Sequence, residues 1–497
     1  MDGFLEGLFN VFQLGNLIII IFGMALGIAV GALPGLSVTL AVALMLPFTF
    51  AMDPGTGVLF LVAIYCGGIY AGSITAILLK TPGSPASAAT TADGYALAQQ
   101  GKASQALSVS LYASVAGGLF SGFTLLLFSP LIAELALMFG PPEFLTLALF
   151  GMTVIASVSG DSISKGMVMA ILGMLIATVG VDPMTGSERF IFGAEFLLGG
   201  IEIVPVLIGL FAISEVLLQV EKKSKRISVR SGSENQRKVK IRELKPYRRT
   251  IFRSSVIGSI VGSIPGLGAE ISSFISYGQA KKKSKEPKKF GKGSMEGVAA
   301  SEAGNNGVTG ATLIPTMTLG IPGSVVAAVL LGAFLVQGLN PGPQLFQESG
   351  DVAYTVILGF IVANIVMLIE GKLAIRWFAK VATIPSSILF PIVLSLCLMG
   401  GYAFENQIYT VGITIFFGVL GYLLSKLQYP LAPMLIALIL GPIAEEGLRQ
   451  SLMLSGGSLA IFFVRPISLF LIILILLSVI MPFVAKYRKN KTANRSL

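Results

Sequence analysis

The fold of this chain is decided by two stretches, Gly31-Ala-Leu-Pro34-Gly35-Leu36-Ser37 and Gly262-Ser-Ile-Pro265-Gly266-Leu267-Gly268. Each stretch interrupts an apolar segment, residues 14–50 and residues 249–278. Proline lacks the amide hydrogen that a helix interior needs, and the glycine after it adopts backbone conformations that other residues avoid. Both segments are therefore predicted to be helix–break–helix hairpins.

The composition around these hairpins is that of a membrane protein. Of the 497 residues, 54% are hydrophobic and only 12% are charged, and the mean hydropathy is +0.84. Soluble domains carry about 25% charged residues. A soluble chain this apolar would have no polar surface, so lipid must be its solvent. Transmembrane helices tolerate the many glycines and prolines, because neighbouring helices satisfy the freed backbone groups.

Apolar runs long enough to cross a bilayer recur along the chain. A spanning helix needs roughly 20 apolar residues. Eleven spans are predicted: 56–80, 104–128, 144–160, 166–181, 196–218, 296–320, 352–372, 386–403, 408–425, 429–446 and 466–485. With the two broken hairpins, they predict an all-α polytopic membrane protein.

The basic residues predict the orientation. Lysine and arginine cluster at 222–249, at 281–292 and in the tail 486–491. Such clusters stay on the cytoplasmic side, so the hairpin 249–278 should enter and leave there. The first hairpin has acidic flanks, with Asp2, Glu6 and Asp53, and should open to the outside. Eleven crossings then join an outside N-terminus to a cytoplasmic C-terminus.

A second pair of breaks completes an internal repeat. Pro82-Gly83-Ser84 follows the first hairpin and Pro322-Gly323-Ser324 follows the second. Since the charges place the hairpins in opposite orientations, we expect an inverted repeat: 1–220, a basic cytoplasmic linker 221–248, and 249–497. Paired broken segments in inverted halves indicate a transporter's binding site at the membrane midplane.

Longer motifs around these breaks resemble the large membrane subunit of the tripartite tricarboxylate transporters, the TctA family. The similar stretches are 31–47, 70–107 with its PGSPASAATTADGYALA motif, 262–343 with LIPTMTLGIPGS, and more weakly 440–450. One departure is that glycines, Gly304 and Gly307, flank the asparagine pair where alanine is expected. The resemblance implies import of carboxylates across a bacterial cell membrane, driven by a sodium or proton gradient. It also implies two partners, a small four-helix membrane subunit and an extracytoplasmic solute-binding protein.

Carboxylates are anions, which bind well to the exposed amide groups at helix N-termini and to nearby hydroxyls. A new helix should begin after each break. Helix capping would use the same residue types. The candidate substrate-binding residues are Pro34, Gly35, Ser37, Pro82, Gly83, Ser84, Pro265, Gly266, Pro322, Gly323 and Ser324.

Oxygen-bearing side chains near the breaks suit a coupling ion. Sodium binds the carbonyls of broken helices, and interhelical hydrogen bonding is the structural alternative. Glu302 would carry a proton or sodium, or lie at the cytoplasmic surface without a role. Asp93 is expected to be exposed and to begin a helix at 94–100. The candidate ion ligands are Asn305, Asn306, Thr309, Thr312, Glu302, and Ser73 and Thr75 as their counterparts in the first half.

Other functions are disfavoured. The chain has no histidine, and Cys66 and Cys397 lie in apolar runs without metal-ligand spacing, so neither a cofactor nor an intramembrane enzyme is indicated. No phosphate-binding Gly-x-x-x-x-Gly-Lys-Ser/Thr motif supports an ATP-driven pump. The net charge of +10 lies in short loops, which argues against nucleic-acid binding. A stand-alone sodium-coupled organic anion symporter and an assembly scaffold remain as alternatives.

Overall fold

The computed structural model describes residues 2–33, 35–158, 162–221, 239–381 and 386–493. Within these ranges the chain is mostly helical, with only two short strands, which confirms the all-α polytopic prediction. The helices of the first half are α1 (Asp2–Phe12), α2 (Leu14–Gly31), α3 (Val38–Met45), α4 (Pro54–Leu79), α5 (Ala88–Gln99), α6 (Ala103–Ala136), α7 (Pro141–Val158), α8 (Ile163–Ala177), α9 (Ile203–Leu207) and α10 (Ser214–Glu221). A π-helical segment, Ile208–Ile213, joins α9 to α10.

The second half continues with α11 to α21. These helices are α11 (Arg248–Ser263), α12 (Gly268–Lys283), α13 (Met295–Leu319), α14 (Val325–Val336), α15 (Pro343–Glu348), α16 (Gly350–Val381), α17 (Ser386–Ala403), α18 (Ile408–Lys426), α19 (Ala432–Leu454), α20 (Ile461–Val464) and α21 (Pro466–Ala493). Two short strands, β1 (Gly180–Val181) and β2 (Glu188–Arg189), pair antiparallel in the loop after α8.

Six helices of the described chain are long and apolar enough to cross a membrane. They are Leu14–Gly31, Pro54–Leu79, Ala103–Ala136, Ile203–Glu221, Gly350–Leu373 and Ile408–Lys426. Five shorter apolar helices accompany them: Val38–Thr49, Ile163–Ala177, Val325–Val336, Ser387–Ala403 and Pro466–Ser478. The predicted span 196–218 starts too early, because Glu195–Leu197 is a 3₁₀ turn and the helix begins at Ile203.

The chain divides into two compact units, residues 1–133 with 207–422, and residues 134–206 with 423–497. The predicted boundaries at 220 and 249 concern the internal repeat and stay a prediction. Most of the basic linker, residues 222–238, lies outside the described residues.

Two helices, α4 and α13, form the core of the first unit. Every residue from Gly57 to Ile77 in α4 and from Gly297 to Thr318 in α13 is buried. Helix α2 packs along α4, and α11 packs along α13. Because α13 contacts protein throughout, it can carry the polar run Ser301-Glu-Ala-Gly-Asn-Asn306 without exposing it to lipid.

The second unit is built on α19. It packs against α7 and α8, and α21 packs against α7. In the loop after α8, Asp182 accepts hydrogen bonds from Arg449 at 2.8 and 3.0 Å. Arg189 pairs with Glu445 at 2.6 Å. Asp182 and Arg189 of this loop are therefore both paired with charged residues of α19.

Candidate functional site

The two primary breaks, at Pro34-Gly35 and Pro265-Gly266, each contain a glycine in the left-handed region. The first separates α2, which ends at Gly31, from α3, which begins at Val38. The second separates α11, which ends at Ser263, from α12. Gly35 has φ +88° and Gly266 has φ +85°, a left-handed conformation that strongly favours glycine. Both hairpin predictions are thus confirmed as helix–break–helix segments.

Pro34, a candidate of the first break, lies outside the described residues. The Ser37 side chain accepts a hydrogen bond from the Leu40 amide at 3.1 Å, so it caps α3. Pro265 is buried between α11 and α12. The hydroxyl at the first break therefore has a structural role whether or not it binds a ligand.

The secondary breaks, Pro82-Gly83-Ser84 and Pro322-Gly323-Ser324, also resemble each other in structure. Helix α4 is followed by Lys80 with φ +59°, and α13 is followed by Gly320 with φ +67°. After Pro82-Gly83 the chain forms a 3₁₀ turn, Pro85–Ser87, and then α5, while α14 follows Pro322-Gly323. Ser324 caps α14 by accepting from the Ala327 amide at 3.2 Å. The Ser84 hydroxyl instead contacts that of Ser87 at 3.1 Å. New helices follow all four breaks, as predicted.

Within the first repeat, the primary and secondary breaks touch. The Gly83 amide donates to the Gly72 carbonyl at 3.2 Å. A Cβ at Gly83 would lie 2.7 Å from the Gly31 carbonyl oxygen and 2.8 Å from the Gly72 Cα. Only a glycine allows backbone to approach backbone this closely.

The second repeat makes the same close approach, with a different hydrogen bond. The Gly266 amide donates to the Gly323 carbonyl at 3.1 Å. A Cβ at Gly323 would lie 3.0 Å from Thr312 Cβ and 3.2 Å from the Gly262 carbonyl oxygen. In each copy, therefore, the second Pro-Gly break packs against the end of the helix before the first break: α2 in the first copy and α11 in the second.

The helix pair α2 and α4 packs in the same register as the pair α11 and α13. A Cβ at Gly27 would meet the Ile64 carbonyl oxygen at 2.3 Å, and one at Gly258 would meet the Gly304 carbonyl oxygen at 2.6 Å. The register of these glycines makes α2 with α4 equivalent to α11 with α13. The two copies thus share their internal contacts; their opposite orientation in the membrane stays a prediction.

This register corrects one sequence-based pairing. The contacts of Gly83 and Gly323 make Gly72 the equivalent of Thr312. Ser73 and Thr75 are therefore not the counterparts of the polar residues in α13, because close glycine packing, not hydroxyl position, sets the alignment. If Gly72 corresponds to Thr312, then Ser73 corresponds to Leu313 and Thr75 to Pro315.

Contacts between the copies are crosswise. Helix α3, after the first break of one copy, packs against α14, after the second break of the other. Helix α12 correspondingly packs against Pro85–Ser87 and α5. The Tyr65 hydroxyl lies 3.4 Å from the Thr312 hydroxyl and beside that of Ser324. All four breaks therefore belong to one region of the first unit.

Glu302 lies inside this region. Its side chain is fully buried and accepts hydrogen bonds from Thr90 and from Ser114, the latter at 3.1 Å. Helices α5 and α6 cover Glu302, so its side chain is not exposed at the protein surface, and its depth in the membrane stays a prediction.

Asn305 is distinct among the candidate ion ligands. It is fully buried, and neither of its amide atoms has a hydrogen-bond partner among the described residues. The other candidates bond within their own helices: Asn306 to the Glu302 carbonyl at 3.1 Å, Thr309 to Asn306, Thr312 to Thr309, Ser73 to Tyr70 and Thr75 to Gly72. These five bonds are intrahelical. Of these five residues, only Ser73 and Thr312 also contact a hydroxyl of another helix within the described chain, which is the interhelical bonding given as the alternative. Neither kind of bond explains Asn305.

Three further buried polar groups were not found from the sequence. The hydroxyls of Tyr70, Ser273 and Ser276 are buried without a hydrogen-bond partner among the described residues. Ser276 packs against Gly304, and a Cβ added to this glycine would overlap the Ser276 hydroxyl oxygen. The serine-rich run Ile271-Ser-Ser-Phe-Ile-Ser276 in an otherwise membrane-like segment was the available signal.

The expectation for Asp93 is also wrong. The residue is fully buried in the middle of α5. One carboxylate oxygen accepts the backbone amides of Gly291, Gly293 and Ser294 at 2.8 to 2.9 Å. The other accepts the Tyr277 hydroxyl at 2.8 Å. Asp93 thereby fastens the turn before α13 to the first repeat, a long-range contact with no local sequence pattern.

Comparison with known proteins agrees with this architecture. The tripartite tricarboxylate transporter TctA family matches residues 17–436. An uncharacterized 52.8 kDa protein in the TAR-I ttuC' 3'region of Agrobacterium vitis is 35% identical over 486 residues, covering 96% of this chain and 95% of that protein. An uncharacterized protein in the TAR-II ttuC' 3'region of the same organism is 36% identical over 47% of this chain and 97% of its own length. No solved structure matched significantly. The chain therefore belongs to the tripartite tricarboxylate transporter TctA family, as a multi-pass membrane subunit with a role in transport.

Proposed function

We propose that this chain is the permease subunit of a secondary active importer of tricarboxylates or related carboxylates, and that the four paired breaks form its substrate site. The proposal is supported by the crosswise packing of the breaks of the two copies, and by Asn305 of α13, a buried amide without a partner among the described residues. Buried polar groups in proteins are nearly always hydrogen-bonded, and an exception calls for an explanation. A substrate or ion that completes this amide supplies one.

The breaks suit an anionic substrate. Helices α3, α12 and α14, and the 3₁₀ turn before α5, each begin beside a break, and helix starts present unpaired amides with a partial positive charge. Carboxylate groups bind such amides without a buried counter-ion. The hydroxyls of Ser84 and Ser324, both partly exposed, complete the proposed contacts.

Glu302 and Asn305 are the proposed coupling residues. They lie on successive turns of α13, and Glu302 contacts Thr90 and Ser114 from the first copy. A carboxylate and an amide oxygen are suitable ligands for sodium, and a carboxylate also carries a proton. Import is driven by one of these ions, and movement of one repeat against the other exposes the site to each side in turn.

The family supports a tripartite assembly. The partners are a small four-helix membrane subunit and an extracytoplasmic solute-binding protein, in a bacterial cell membrane. The chain has its N-terminus outside and its C-terminus in the cytoplasm. The partners and the bacterial membrane follow from the family resemblance, and the orientation follows from the loop charges.

Uptake by reconstituted protein tests the proposal. The chain is placed in proteoliposomes with its small membrane subunit, and uptake of labelled citrate and a panel of dicarboxylates is measured under sodium or proton gradients. We expect accumulation only with both a gradient and the binding protein, and loss of accumulation in Glu302→Gln. Uptake by this chain alone would favour the stand-alone symporter, and uptake without any gradient would contradict ion coupling.

A further inference from the structure

A cavity that the proposed transport site does not include lies between α6 and the start of α11. Its volume is about 710 Å³. Arg242, Lys245 and Arg248 line one side of it, and Phe120 and Phe252 line another. The transport site described above does not use these residues, so the cavity needs a separate explanation.

The charged side chains that line this cavity are all basic. Arg242, Lys245 and Arg248 are exposed to solvent at its rim, and no acidic side chain lines the described cavity. Lys372 adds a fourth cation nearby, with its ammonium group 5.3 Å above the ring of Tyr112, which also lines the cavity. Several cations around one opening favour an anionic ligand.

The apolar wall restricts the kind of anion. Phe252 is 61% exposed and Ile241 is 58% exposed, and the rings of Phe120 and Phe252 meet edge to face at 5.6 Å. A small inorganic anion would leave this apolar surface uncovered. A ligand with an anionic head and a hydrocarbon tail would cover both parts.

We propose that this cavity binds an anionic phospholipid of the phosphatidylglycerol class from the cytoplasmic leaflet. The phosphate lies among Arg242, Lys245 and Arg248, and the first acyl carbons cover Phe252. Basic sites at the cytoplasmic ends of membrane helices recognise such head groups. Because α11 is the first arm of the second hairpin, the bound lipid anchors that arm at the end opposite to its break. This inference rests on membrane placement and does not depend on the proposed substrate.

Native mass spectrometry of the full-length chain in detergent tests the proposal. Phosphatidylglycerol and phosphatidylcholine with identical acyl chains are titrated against the wild type and against Arg242→Gln/Lys245→Gln/Arg248→Gln. The matched control, Lys281→Gln/Lys282→Gln/Lys283→Gln, removes the same charge from exposed positions at the end of α12. We expect the wild type and the control to prefer phosphatidylglycerol by about tenfold or more, and the cavity variant to lose that preference.

Two further measurements, on a Phe252 variant and with inorganic phosphate, complete the test. Phe252→Ser leaves every cation in place and should weaken phosphatidylglycerol binding severalfold. If the triple variant does not fold, this change and Arg248→Gln are measured singly. Millimolar inorganic phosphate should not displace the lipid. Equal binding of the two lipids, equal loss in the lysine control, displacement by phosphate, or exclusion of lipid by the coexpressed small subunit would each overturn the proposal.

Discussion

Asn305 and Asn306 are adjacent residues of α13 with different environments. The Asn306 amide donates to the Glu302 carbonyl at 3.1 Å, whereas the Asn305 amide has no partner among the described residues. A buried polar group left unpaired costs about 1–3 kcal/mol. Such a cost is tolerated where a ligand completes the group, which is why Asn305 carries more of the functional argument than its neighbour.

Replacing Asn305 tests this difference. We expect Asn305→Ala to reduce carboxylate uptake at least about tenfold, while the thermal unfolding midpoint of the purified chain changes little, because no described hydrogen bond is lost. Asn306→Ala is the control: it should lower stability by about 0.5–1.5 kcal/mol, the usual contribution of one hydrogen bond. Wild-type uptake in a destabilised Asn305→Ala would mean that the amide has a structural partner instead.

At the scale of elements, the break contacts explain why glycine recurs in the Pro-Gly motifs. Gly83 lies against the backbone of Gly31 and Gly72, and Gly323 lies against Thr312 and the Gly262 carbonyl. The contacts in the first repeat are closer by several tenths of an ångström. Equivalent glycines should therefore differ in their tolerance of an added methyl group.

Alanine substitutions measure that tolerance. Gly83→Ala should lower the free energy of unfolding by about 1–3 kcal/mol and reduce uptake, because its Cβ would lie 2.7 Å from a carbonyl oxygen. Gly323→Ala should have a smaller effect in the same direction. Gly278→Ala in α12, where nothing lies within 4 Å, should be neutral or stabilising by up to about 1 kcal/mol. Equal effects at all three positions would contradict the close-contact explanation.

The loop between α8 and α9 is held by charge. Hydrogen bonds from the Met184 amide, and then from Arg449, hold the pKa of the Asp182 carboxyl well below its usual range. A carboxyl with a lowered folded-state pKa contributes stability above its unfolded-state pKa of about 3.9. That contribution is lost only as the pH falls towards the lower, folded-state value.

The lowered folded-state pKa of Asp182 predicts how stability depends on pH. The unfolding midpoint of the wild type should exceed that of Asp182→Asn by a constant amount from about pH 7 to pH 5, and the difference should shrink below about pH 4. Glu188→Gln, at an exposed position of β2, should match the wild type throughout. Loss of the Asp182 effect between pH 7 and pH 5 would show that its pKa is not lowered.

At the scale of the whole molecule, local chemistry predicts the breaks well and long-range packing poorly. The Pro265-Gly266 pair predicts its hairpin because proline and glycine determine the backbone conformation at their own positions. Asp93 could not be read correctly, since its partners Gly291 and Ser294 come together only in the folded chain. The pairing of Ser73 and Thr75 with α13 failed for the same reason: the register depends on glycine contacts between helices.

The inverted orientation of the repeats is a prediction of its own. In a variant with Cys66 and Cys397 replaced by alanine, single cysteines at Asp53 and Lys285, both exposed, report the sidedness of the loops after the two hairpins. An impermeant thiol reagent should label Asp53→Cys in intact cells and Lys285→Cys only after permeabilisation. Labelling of both from the same side would mean that the repeats are parallel.

The central claim is that breaks from both repeats form one carboxylate site, and substrate protection of cysteines tests it most directly. In the same background, Ser84→Cys and Ser324→Cys are labelled with a small thiol reagent, with and without the carboxylate that is transported best. Thr185→Cys, in the exposed loop of the second unit, is the control. We predict that saturating substrate slows labelling about tenfold or more at both serine positions and leaves the control unchanged. Protection at only one serine position, or at neither, would contradict a shared site.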